Sequence, residues 1–148
     1  MSAVAHPTRA RSATSARWSF VVLEAVIALN AIAGGIYGLA GAKNIPRAWL
    51  AGSPFHSYLI PSLVLLVVVG GGMVVAVGLI VAGHRCAAEV SIAAGVILLG
   101  WITVETLIIP FSWLQPTFFV LGVAVVKLAY RQHQTDSRSQ HGSRKEER

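Results

Sequence analysis

Acidic side chains are scarce in this chain, six in 148 residues, and cysteine is represented only by Cys86. One thiol can neither close a disulfide within the chain nor build a multi-cysteine metal site. Charge of either sign is thin: 12% of residues are Asp, Glu, Lys or Arg, 55% are hydrophobic, and mean hydropathy is +0.66. An ordinary soluble domain carries about 25% charged residues, so this composition cannot coat a water-soluble globule. The five histidines (His6, His56, His84, His133 and His141) all fall outside the long apolar runs. That excludes a haem held between two histidines on facing spans. No cofactor and no metal is expected, and no residue pattern marks a catalytic nucleophile.

Length implies one domain. Four apolar runs are present, about 18–40, 58–82, 87–109 and 113–131, each near the ~20 residues a helix needs to cross ~30 Å of hydrocarbon. The expected fold is all-α, a bundle of four transmembrane helices, between a basic tail over 1–17 and an unstructured tail over 132–148. Pro110 closes the third run and Pro116 sits in the first turn of the fourth, where its missing N–H is harmless. The net charge of +6 suggests nucleic acid until the basic residues are located. They gather at the ends and in short loops, as topology determinants do, with no basic-aromatic patch. Nucleic acid is therefore not an expected partner.

Ten of the twelve Lys and Arg residues fall on one side of such a bundle: Arg9, Arg11, Arg17, Arg85, Lys127, Arg131, Arg138, Arg144, Lys145 and Arg148. Only Lys43 and Arg47 lie opposite, in the first loop. The positive-inside rule puts both termini in the cytoplasm, and a bacterial inner membrane, crossed several times, is the expected location. Ala40-Gly41-Ala42 could serve as a signal-peptide cleavage site, but the run before it is longer than a signal core and is interrupted by Glu24 and Asn30. Retention of the first span is the expectation, and cleavage would leave the other three oriented the same way.

In lipid, helices associate by close packing of small residues. Glu24, Ala28, Ala31, Gly35 and Gly38 form one stripe on the first span, counting ~100° per residue. The carboxylate heading that stripe should face other helices. Gly70-Gly71-Gly72 and Gly78 permit close approach on the second span, and Pro61 is expected to kink it. Ala87, Ser91 and Gly95 repeat the small-residue pattern on the third span. The bulky fourth span is expected to face lipid. In the first loop, Asn44 is expected to cap a short helix running through Trp49 to Gly52, and Ser53-Pro54 to open the next.

The run Ser53-Pro54-Phe55-His56-Ser57-Tyr58-Leu59-Ile60-Pro61, followed by aliphatics and glycines, resembles a segment of a family of small bacterial four-helix membrane proteins. Members carry Ser/Thr-Pro-Phe-x-x-Tyr/Phe-x-x-Pro, and Trp101-Ile102-Thr103-Val104-Glu105 is similar to a later Trp-Ile-x-x-Glu segment of theirs. The likeness covers roughly residues 18–130 and implies the four-helix fold but no activity. The preference for Arg over Lys, with abundant Ala and Val, looks actinobacterial.

The polar groups inside the spans are the candidate functional residues, because intramembrane carboxylates are costly. Glu24 reads as a proton or cation site, or more plainly as a structural carboxylate paired with Lys127 or a hydroxyl. Asn30 lies on a different face of the same helix. Glu105, with Trp101 one turn before it, can converge with His56, Ser112 and Gln115 into an outer polar pocket; the plainer reading is an interfacial glutamate beside an anchoring tryptophan. Glu89 opposes its helix macrodipole, and Lys127 is expected to snorkel or to pair with Glu89 or Glu24. Glu89 and Glu105 stand about 24 Å apart along the axis and ~160° around it, so one helix cannot carry a continuous proton path.

Three functions fit. A non-enzymatic accessory or structural membrane protein, with lipid and a second copy or another membrane protein as its expected partners, asks no unusual chemistry of any residue. A proton-coupled transporter acting as a dimer through Glu24 would share four helices and a first-helix glutamate with the small multidrug resistance family. The long first loop and basic tails depart from that family. An outer-surface enzyme using Glu105, His56 and Gln115 comes last.

Overall fold

The computed structural model describes residues 8–50, 54–108 and 112–146. Ser53, Ile109 and Pro110 lie outside the described residues, and with them the expected cap at Ser53 and the stop at Pro110. Helix α1 (Thr8–Leu39) is followed by a 3-10 turn (Arg47–Leu50). The second rod comprises α2 (Leu59–Leu63), a π-helical stretch (Val64–Gly70) and α3 (Gly71–Ala82). Helices α4 (Ala87–Ile108) and α5 (Leu114–Glu146) complete the chain, and no strand occurs among the described residues.

Three helical segments are long and apolar enough to cross a membrane: Arg17–Leu39, Leu59–Ala82 and Ala87–Ile108. Their outward faces are aliphatic, with Leu107 83% exposed and Val67 61% exposed. Contiguous apolar surface of this kind is not left facing water. Only the N-terminal half of α5 is apolar, because Arg131 onward is polar and charged.

Both helical ends run further than composition suggests. Helix α1 starts at Thr8 inside the basic tail, and α5 continues to Glu146 through the region expected to be unstructured. The residues concerned include Arg, Gln, Lys and Glu, good helix formers that prolong a helix already nucleated by its packed half.

Helix α1 packs along the second rod, the rod packs on α4, and α4 packs on α5. The stripe on α1 faces inward: Glu24, Ala28, Ala31 and Gly35 are buried. Opposite it lies the π-helical stretch, where the Gly71 N–H reaches back five residues to Leu66 O. Pro61 is not the source of this irregularity. It stands third in α2, in the first turn, where a missing N–H breaks nothing. The widened turn sits against the glycines of α1, with Gly35 over Leu66 and Gly38 over Ser62.

Between α4 and α5 the same device recurs, with Gly95 against Val125 and Val126 and Gly122 against Leu99. Val125 and Ala129 are wholly buried while Val120 is 66% exposed. The fourth helix is thus packed on one face and faces outward on the other.

The second rod closes with a Schellman motif. Gly83 takes φ 67°, and the His84 N–H donates to Leu79 O at 2.9 Å and the Gly83 N–H to Ile80 O at 3.1 Å. Arg17 of α1 completes this cap by donating to Ile80 O and, at 3.0 Å, to Val81 O. The guanidinium therefore meets the negative end of a helix dipole. Arg17→Met is expected to lower stability by about 1 kcal/mol, read as an earlier heat-unfolding midpoint in detergent. No shift in that midpoint would remove Arg17 from the cap.

Candidate functional site

A cavity of about 450 Å³ lies among α1, α2, α4, α5 and the first loop. Its lining is mostly apolar, and its one charged side chain is Glu105. Trp101, Gln115 and Ser112 line it too, so the structure gathers these four around one space. Asn30 lines its α1 wall, with Nδ2 donating to Val26 O at 2.9 Å. His56 does not belong: it is exposed and does not line the cavity. It precedes Leu59, where the rod begins, and the chain there runs over the outside.

The first loop forms the roof. Gly41, Ala42 and Asn44 take φ of 96°, 45° and 71°, a left-handed course that folds the chain back on the bundle. Asn44 is therefore a turn residue rather than the expected helix cap. Ala42 and Leu50 are pressed inward and buried. Two tyrosines that line the cavity hold the roof down: Tyr37 donates to Lys43 O, and Tyr58 to Pro46 O at 2.9 Å.

Gln115 is 5% exposed, and the sequence reading missed how it is placed. Ser112-Trp113-Leu114-Gln115 is a capping box: the Ser112 N–H donates to Gln115 Oε1 at 3.1 Å, and the Leu114 N–H to Ser112 Oγ at 3.4 Å. The Ser-x-x-Gln spacing before an apolar run was the available signal. With Oε1 engaged, Gln115 Nε2 is left buried without a partner, as is Trp101 Nε1.

Glu24 lies elsewhere. Its carboxyl is wholly buried in the core and does not line the cavity. Ser91 of α4 lies close enough to act on it. Yet Ser91 Oγ and both Glu24 oxygens are buried without a well-formed hydrogen bond. The expected ion pair with Lys127 is not formed: Lys127 is exposed, and Glu89 instead meets His133 at 3.5 Å on the exposed edge between α4 and α5. A hydroxyl beside Glu24 was expected without saying which, and Ser91 was named only as a small packing residue; that the two lie close depends on how α1 meets α4, which no single-helix pattern encodes. Comparison with protein-family models, with curated proteins and with solved structures finds no match for this chain.

Proposed function

We propose that this chain is a multi-pass protein of a bacterial inner membrane, with four spans and both termini cytoplasmic, serving as a non-enzymatic accessory or structural component. The four-span reading draws support from the apolar first half of α5, whose Val125 and Ala129 pack into the bundle. The orientation draws on the bias of basic residues. The likeness of the Ser53–Pro61 segment to small four-helix membrane proteins agrees with the four-span reading. The observation that carries the accessory reading is the separation of Glu24 from the cavity. A coupling carboxylate must be reached from each side in turn, and this one is sealed in the packed core.

The second reading, a dimeric proton-coupled transporter, rests on that same carboxyl being buried and unpartnered, since such groups mark ion paths.

Cys86, exposed in the second loop, is a built-in topology probe. A membrane-impermeant maleimide is expected to label it in inverted vesicles and not in intact cells; the converse pattern refutes the orientation. Protein reconstituted in liposomes with a trapped pH dye is expected to pass no proton flux above empty liposomes, with Glu24→Gln identical to wild type. Flux that Glu24→Gln abolishes would replace the accessory reading with the transporter.

A further inference from the structure

Aromatic residues make up 8% of the chain but a fifth of the cavity lining. They arrive from five places: Tyr37 from α1, Trp49 from the roof, Tyr58 at the head of α2, Trp101 from α4 and Phe118 from α5. Tyr37 and Tyr58 commit their hydroxyl protons to the roof, and Trp101 Nε1 is sealed from solvent. What these side chains offer the cavity is therefore ring rather than polar tip. Glu105 stands in the same wall, one turn beyond Trp101. Its carboxyl makes no hydrogen bond or ion pair with a described residue, yet its oxygens, unlike those of Glu24, are not sealed. No described Lys or Arg lines the cavity. An open carboxylate in an apolar wall is costly without a counter-charge, and aromatic rings attract cations through their quadrupole. The two features ask for the same kind of ligand.

We infer that this cavity binds an organic ammonium cation with an apolar body, its charged head at Glu105 and its body among the aromatic rings. About 450 Å³ falls within the ~300–1,000 Å³ usual for small-ligand sites. A bare divalent cation wants several oxygen ligands, and no group of three His, Cys, Asp or Glu gathers among the described residues. An anion would be repelled by Glu105, and a neutral apolar ligand would leave the carboxylate unpaired. The inference goes beyond the accessory reading and is independent of the orientation, since it needs only the cavity. It is also distinct from transport through Glu24, which does not line this space.

The test is equilibrium binding of radiolabelled benzyltrimethylammonium to the full chain in phosphatidylcholine nanodiscs, against nanodiscs without protein. Saturable binding is expected. Neopentylbenzene, which has the same shape without the charge, and the anion benzylsulfonate should each compete at least about tenfold less well than unlabelled ligand. Glu105→Gln keeps the side chain's size and should weaken binding at least about tenfold. Trp49→Leu, in the roof, should weaken it about threefold. Glu24→Gln should bind as wild type. Equal competition by neopentylbenzene would reduce the site to a plain apolar pocket and overturn the assignment. This comparison uses wild-type protein, so it decides even where a variant fails to fold. Absence of saturable binding, binding that Glu105→Gln leaves untouched, or loss in Glu24→Gln instead would overturn it too.

Discussion

Gly35→Leu is expected to cost at least about 3 kcal/mol and to separate α1 from the second rod. Overpacking a core ordinarily costs about 1–3 kcal/mol because neighbours can shift. Here a Cβ would stand 2.6 Å from Leu66 Cβ and 3.0 Å from Leu66 Cα and N. Those atoms are fixed to the π-helical backbone and cannot rotate aside. In lipid, close backbone approach is itself the source of helix association, so the substitution removes attraction as well as adding repulsion. The measurement is heat or SDS unfolding of purified protein, with Gly100→Leu as control, since a Cβ at Gly100 meets nothing within 4 Å. The control should stay within about 0.5 kcal/mol of wild type. Equal losses at the two positions would mean the contact between Gly35 and Leu66 does not hold the bundle together.

Glu24→Met should act in the opposite direction and raise stability by about 1–3 kcal/mol. Both carboxyl oxygens are buried without a well-formed hydrogen bond, and replacing a poorly satisfied buried polar group by an apolar one of similar size removes its desolvation cost. Removing the Ser91 hydroxyl as well, in Glu24→Met with Ser91→Ala, should keep the gain, because Ser91 Oγ is equally unpartnered. The same unfolding assay decides the matter. A lower midpoint for Glu24→Met would show that the carboxyl makes a stabilising interaction in the bilayer, and the core would have to be reconsidered around it.

The long apolar runs made three of the spans legible to within a residue or two, because length against bilayer thickness leaves little freedom. The α1 stripe was legible too, since its periodicity alone puts Glu24, Ala28, Ala31 and Gly35 on one face. Trp101 and Glu105 could be placed together by helical spacing, and Gln115 by its depth. Other features were hidden. The π-helical stretch has no sequence period of its own, and the proline nearby drew attention to the wrong turn. His56 was placed in the pocket by depth, but the path of a loop is not set by depth. Arg17 was counted as a topology charge; that it caps a helix more than sixty residues away depends on tertiary packing. The reach of α5 was missed because a polar, charged composition was taken as a lack of structure, although a helix nucleated in one half can extend through good formers in the other.

That reach has a mechanical consequence. At ~1.5 Å per residue, the 33 residues of α5 span about 50 Å, and in the proposed four-span arrangement the ~30 Å of hydrocarbon would leave roughly 20 Å of helix standing clear of the bilayer core. The charged C-terminal segment is then not a loose brush lying on the headgroups. In that arrangement it would be the tip of a rigid mast whose height is set by residue count, so each turn deleted between Arg131 and Glu146 would lower whatever the tip meets by ~5.4 Å and turn its heading by the remainder of a helical repeat.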